Sequence, residues 1–306
     1  MGRQSLNLKG LVAAVYTPFD SGGAVNPGAV EKMAERLSGW NCAGVFVNGT
    51  TGESLSLTVE ERKLLAACWC EAARGTGLKV IVHVGHNSIA AASDLAGHAA
   101  GCGADAIGMM PPCYLKPASV GDLVSCCRAV AGQAPSIPFY YYHIPDLTGV
   151  NMPMMEFLEK ASDLIPNMGG LKYTHSDLAE FLQCLNFAGG SHDIFFGRDE
   201  ALLAALALGA RTAVGSTYNF AAPIFSRIIE SFSRGELEAA REGQLYMADL
   251  VALLKKFGFL PASKALMAMI GLDSGPVRLP LRELFEAEKS SLRRELETAG
   301  YFDRIQ

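Results

Sequence analysis

Gly169-Gly170-Leu171-Lys172-Tyr173-Thr174 reads as a short buried strand that opens into a loop. Its one charged residue is Lys172, set among small and apolar neighbours. An apolar setting disfavours the ammonium form of an amine. A neutral amine is a nucleophile that attacks ketones to form Schiff bases. A lysine that snorkels its charge to solvent from a strand end accounts for the same six residues equally well. The segment alone leaves both readings open.

Runs of the same kind recur along the chain. Residues 11–15, 44–48, 80–84, 106–110, 138–142, 169–173, 193–196 and 212–216 are short and rich in apolar and β-branched residues. Between them lie stretches with helical spacing of apolar residues at 27–40, 59–74, 90–101, 120–131, 153–162, 178–188 and 200–208. Thr58-Val59-Glu60-Glu61 has the form of a capping box. Eight strands, each followed by a helix, predict an α/β protein built as a (β/α)8 TIM barrel. A doubly wound open sheet is the competing architecture, but no Gly-x-Gly-x-x-Gly follows the first strand.

The barrel takes roughly 235 residues, near the ~250 usual for this fold. Residues 1–222 are expected to form the barrel that carries the active site. Residues 223–306 are expected to complete the last barrel helix, over 228–234, and to add a C-terminal helical extension over 237–257, 262–271 and 281–300. Pro261 and Gly275-Pro276 are expected to act as breaks, and the extension to pack on the barrel or on a neighbouring subunit.

Composition narrows the function classes. Of 306 residues, 50% are apolar and only 19% charged, which points to a small charged surface and to burial between subunits. A net charge of −5 without a basic run argues against nucleic acid and acidic membranes as partners. Met1 to Gly10 lacks the apolar core of a signal peptide, and the longest apolar stretches are too short to span a bilayer. The eight cysteines include no C-x-x-C pair, so reduced thiols in a cytoplasmic protein are expected.

Catalysis in such a barrel sits at the C-terminal ends of the strands. Strand two ends in Gly49-Thr50-Thr51-Gly52-Glu53, whose backbone N–H groups and two hydroxyls can cradle a carboxylate or phosphate; a plain turn is the simpler reading. Glu53 is expected to support this loop. Alternation along strand five sends Tyr140 and Tyr142 to one face and Tyr141 to the other. A phenol beside a cationic iminium can relay protons, although Tyr142 taken alone reads as a core aromatic. Gly197, Asp199 and Glu200 end strand seven and could meet a polyol, while acids there also suit a helix N-terminus. His83 and His86 lie three apart on an extended segment and diverge, so no metal site is expected. His143 is expected as a supporting or substrate-facing group. A nucleophilic amine, an adjacent phenol, an anion cradle and a polyol-binding rim together fit a lysine-dependent aldolase acting on a 2-oxo acid.

These motifs resemble the pyruvate-dependent class I aldolases of the dihydrodipicolinate synthase/N-acetylneuraminate lyase family. The resemblance runs from Gly10-Leu11-Val12-Ala13-Ala14 to Arg278-Leu279-Pro280 and is most specific at residues 47–53, 140–150, 170–172 and 215–219. Within the family the chain looks closer to the vertebrate-type lyases than to bacterial ones, in which asparagine commonly replaces His143. The resemblance implies a homotetramer, with Lys172 forming the Schiff base and Tyr142 handling the proton. It implies that Thr50 and Thr51 hold the pyruvate-derived carboxylate and that Thr174 supplies a hydroxyl near the substrate. Gly197, Asp199, Glu200 and Ser216 would bind the tail and hydroxyls of a sugar acid. The implied reaction is reversible cleavage of N-acetylneuraminate to pyruvate and N-acetyl-D-mannosamine, with no cofactor beyond the covalent imine.

Arg198 departs from the neutral residue frequent in relatives, and Cys113 replaces one of a tyrosine pair kept by the synthases. Leu147 stands in Pro145-Asp146-Leu147-Thr148-Gly149 where synthases carry an arginine for a second carboxylate. That difference argues against the synthase reaction. A related 2-oxo-acid aldolase or dehydratase, and a catalytically silent sugar-acid binder on the same scaffold, are the alternatives.

Overall fold

The computed structural model describes residues 5–305; residues 1–4 of the amino-terminal stretch, and Gln306, lie outside them. Eight parallel strands close into a barrel in sequence order: β1 (Gly10–Ala14), β2 (Gly44–Val47), β3 (Lys79–His83), β4 (Ala106–Met109), β5 (Phe139–His143), β6 (Met168–Tyr173), β7 (Asp193–Phe196) and β8 (Thr212–Gly215), which pairs back to β1. Each strand lies within two residues of its expected position. Parallel strands covered on both faces read as unbroken apolar runs, which is why they are visible in the sequence.

Two apolar clusters divide the interior. Val12, Phe46, Ile81, Tyr140, Phe195 and Val214 belong to the one that fills the barrel. The larger cluster lies between the outward strand faces and the helices and includes Trp69, Tyr141, Phe157 and Phe181. Tyr140 stacks on Phe195 at 4.7 Å inside, whereas Tyr141 meets Phe157 at 4.6 Å outside. The alternation expected for the three tyrosines therefore holds. The capping box holds too: Glu61 N–H donates to Thr58 Oγ1 at 3.2 Å, and Thr58 N–H donates to Glu61 Oε2 at 2.9 Å.

Helix Tyr218–Ser233 follows β8, so the division expected at residue 222 falls inside it, at the distortion on Ala221 two residues before Pro223. A proline ring removes one N–H and crowds the preceding turn, which accounts for the bend. Helix Leu237–Lys256 packs along Tyr218–Ser233, helix Phe259–Met269 packs on both, and Glu286–Thr298 packs on Phe259–Met269. Pro261 is not a break. It sits in the first turn of Phe259–Met269, where a missing N–H costs nothing because the first four have no helical partner. The chain end is fastened by Tyr301, whose buried hydroxyl donates to Phe220 O at 2.6 Å.

Candidate active site

Lys172 and Tyr142 are register partners on adjacent strands, both facing into the barrel. Lys172 is 4% exposed, and its Nζ lies 4.1 Å from the Phe46 ring centre and 3.9 Å from that of Tyr142. The amine is thus turned inward over two aromatic faces, not outward to bulk water as a snorkelling lysine would be. It lines a cavity of about 690 Å³ at the C-terminal end of the barrel. Phe46 and His83 meet Tyr142 edge-on at 5.6 and 6.0 Å, and the Tyr142 and Thr50 hydroxyls are 3.5 Å apart.

The loop after β2 is tightly wound, with Asn48 and Glu53 in left-handed backbone conformations. Thr50 is exposed to the cavity and Thr51 is nearly covered. Glu53 does not turn to the cavity as a free acid. Its Oε1 lies 3.0 Å from Lys264 Nζ in an ion pair buried on both sides, and its Oε2 accepts the Arg278 N–H at 2.8 Å. Lys264 also donates to the carbonyls of Thr17 and Pro276 at 2.9 and 2.6 Å. Burial pulls its ammonium below the usual range, against the opposing pull of Glu53. Arg278 in turn reaches Glu61, whose carboxyl it holds below the usual range.

Three strand ends build the far wall. Asp199, buried, accepts the Thr217 N–H at 2.9 Å and the Thr217 hydroxyl at 2.6 Å. Burial raises its carboxyl to about 6 despite those two donors. Gly215 is required here, since a Cβ would overlap the Asp199 carboxylate. At Gly197 a Cβ would overlap Thr174 Oγ1, so the glycine leaves room for that buried hydroxyl, on a residue that lines the cavity. Glu200 lies 3.6 Å from both Arg198 and Lys255, and Arg198 reaches Asp146 at 3.3 Å. Arg198 is therefore neutralised within a rim network. Ser216 also lines the cavity. All nine residues proposed from the sequence, from Thr50 to Ser216, thus border one space.

Of the two roles open to His143, supporting or substrate-facing, the second is excluded: it points outward from β5 and is fully buried beside Tyr173 and His175. The alternation that turns Tyr142 inward requires this. The C-terminal helices do more than pack: Val251, Lys255 and Phe259 line the cavity. Nothing local in the sequence marks them. His83 is consumed structurally, with Nδ1 2.9 Å from the Asn48 carbonyl and Nε2 accepting Met110 N–H at 3.2 Å. All eight cysteines are free thiols.

The model of the Dihydrodipicolinate synthetase family matches residues 7–299. The chain belongs to this family. Its members include proteins close to it throughout. The N-acetylneuraminate lyase of Xenopus tropicalis is 44% identical over 277 residues, 90% of each chain. The solved N-acetylneuraminate lyase of Aliivibrio salmonicida is 42% identical with a TM-score of 0.93, over 96% of this chain and 97% of that one. The Proteus mirabilis N-acetylneuraminate lyase is 40% identical with a TM-score of 0.93, over 96% and 99%. The likeness to a vertebrate lyase and to bacterial ones is thus of similar strength.

The geometry yields two predictions. Lys264→Met strands a buried carboxylate and should cost about 3–5 kcal/mol, read from urea unfolding; the double variant Glu53→Gln/Lys264→Met should recover part of it. Equal stability of Lys264→Met and the parent would mean that the pair does not hold the loop. For Asp199, the folded value of about 6 lies above the ordinary 3.8. Between those values the native state binds a proton that the unfolded chain does not, so this carboxyl adds stability as pH falls from about 6 to about 4 and loses that contribution as pH rises. The stability of the parent relative to Asp199→Asn should grow over that descent, and a constant difference would contradict a buried carboxyl.

Proposed function

We propose that the protein is a Schiff-base (class I) aldolase that reversibly cleaves N-acetylneuraminate to pyruvate and N-acetyl-D-mannosamine. The observation that carries this reading is the inward amine of Lys172 over the Tyr142 ring, beside a cavity of about 690 Å³ lined by hydroxyl and acid groups. Membership of a family of class I aldolases, and relatives named N-acetylneuraminate lyase across nearly the whole chain, support it.

Lys172 Nζ attacks the C2 ketone of the open-chain sugar acid, and loss of water gives an iminium. Thr50 and Thr51 hold the carboxylate on C1. Tyr142, together with that carboxylate, takes the proton of the C4 hydroxyl. The C3–C4 bond breaks, its electron pair passes into the iminium, and N-acetylmannosamine leaves as the aldehyde. The resulting enamine is protonated at C3 and hydrolysed, which frees pyruvate and the amine. The iminium is the electron sink, so the reaction needs neither metal nor organic cofactor. Thr174, Gly197, Asp199, Glu200 and Ser216 receive the hydroxyls and tail of the sugar. Leu147, 65% exposed at the cavity rim, offers no cation for a second carboxylate, which favours a sugar acid over the dicarboxylic product of a synthase.

The barrel that carries the active site is residues 1–222; residues 223–306 complete its last helix and add the helical extension, from which Val251, Lys255 and Phe259 reach the cavity. The protein acts in the cytoplasm as a homotetramer; no helix among the described residues is long and apolar enough to cross a membrane. Tyr114 and Leu115, 83% and 81% exposed beside the cavity residue Cys113, are apolar surface suited to a neighbouring subunit. Light scattering on the native protein should give four times the chain mass, and a monomer would refute the assembly.

The reaction is tested by coupling pyruvate release from N-acetylneuraminate to lactate dehydrogenase. Turnover should be lost in Lys172→Ala, and borohydride should fix pyruvate covalently to the parent but not to that variant. Near-normal turnover in Lys172→Ala would refute the mechanism. Trapping of pyruvate without cleavage of N-acetylneuraminate would leave the imine and move the substrate to another sugar acid.

A further inference from the structure

We infer that His143, His175 and Glu180 form a binding site for a zinc-type divalent transition-metal ion, on the outer side of the barrel and apart from the reaction centre. One ligand atom from each lies within 4.8 Å of the other two. The three come from different elements: His143 from the end of β5, His175 from the loop after β6, and Glu180 from helix Leu178–Asn186.

The independent sign of a ligand is the state of the two imidazoles. His143 is 0% exposed, yet neither of its ring nitrogens has a hydrogen-bond partner among the described residues, and the same holds for His175 Nδ1. Buried polar atoms are nearly always satisfied, and an orphaned pair facing each other calls for a shared partner. The rings stand at 89° with centres 5.4 Å apart, and no hydrogen bond from either His143 nitrogen or His175 Nδ1 joins them.

The carboxylate is already oriented. Glu180 Oε2 accepts the Tyr173 hydroxyl at 2.9 Å, and Oε1 accepts the Met154 N–H at 2.8 Å. Each oxygen retains a second lone pair. Such outer hydrogen bonds are what fix the carboxylate ligands of metal sites. Ligand atoms around zinc stand roughly 3.3 Å apart, from bond lengths of about 2.0–2.2 Å. His175, half-buried on the loop after β6, can close that gap by turning toward the ring of His143 and the fixed carboxylate of Glu180. Two imidazoles and one carboxylate suit zinc or its neighbours better than calcium or magnesium, which prefer all-oxygen sites. The ion would tie the loop after β6 to β5. Because His143 and Tyr173 point outward while Tyr142 and Lys172 point inward, it would stand behind the reactive groups and touch no substrate.

The test uses the full-length protein stripped with a chelator and dialysed. Zinc is titrated by calorimetry and cobalt(II) by its visible absorption. About one ion per chain should bind, with an absorption band of nitrogen- and oxygen-ligated cobalt. Affinity should fall about 10-fold or more in His175→Ala and in Glu180→Gln. It should be unchanged in His98→Ala, which removes a histidine outside the site, 3.4 Å from Cys102 Sγ. Absence of binding, affinity unchanged in both ligand variants, or loss in His98→Ala alone would overturn the site. None of these readouts depends on the aldolase reaction.

Discussion

An amine held inside a closed barrel, over two aromatic rings, is the constraint around which the molecule is arranged. Nζ of Lys172 sits about 4 Å above Phe46 and Tyr142, a placement in which ring faces stabilise the charged form through their quadrupoles. Phe195 and Tyr140 fill the barrel below, and the cavity that Lys172 lines opens at the C-terminal end.

The loop after β2 depends on the opposite end of the chain. Its left-handed turns at Asn48 and Glu53 are conformations a non-glycine residue holds only when its surroundings demand it. Lys264 and Arg278 make that demand, one through a buried ion pair with Glu53 and the other through its backbone N–H. A buried pair of this kind is poor at adding net stability but strongly penalises any arrangement that separates it. It acts as a register device, fixing where Thr50 and Thr51 stand. The C-terminal helices are thus part of the site even where they do not line it.

What could be seen in the sequence follows from what is local. Eight apolar runs at regular spacing specify the barrel because each strand is buried on both faces, and strand alternation places Tyr140, Tyr141 and Tyr142 without further information. Lys172 is conspicuous because one charge in a buried strand has few explanations. The tail contacts are invisible for the converse reason: Glu53 and Arg278 are 225 positions apart, and neither residue carries a spacing that names the other. Pro261 misleads because its meaning depends on whether it lies within the first turn or beyond it, and the helix start is set by Gly258, in a left-handed conformation, and by packing. The grouping of His143 with His175 and Glu180 escapes notice because strand, loop and helix each supply one residue.

The period of two along β5 and β6 has a further consequence. Tyr142 and Lys172 belong to the barrel interior, while His143 and Tyr173, the next residues on each strand, belong to the layer beneath the helices. The two layers share a backbone but belong to separate apolar clusters. The outer layer can change its chemistry, even to the point of holding an ion, at little cost to the inner one, provided the strand positions stay fixed. The coupling that remains is mechanical: Thr174 N–H donates to the His143 carbonyl at 2.8 Å, so the loop that presents Thr174 to the cavity is anchored on the same residue whose ring faces the outer layer.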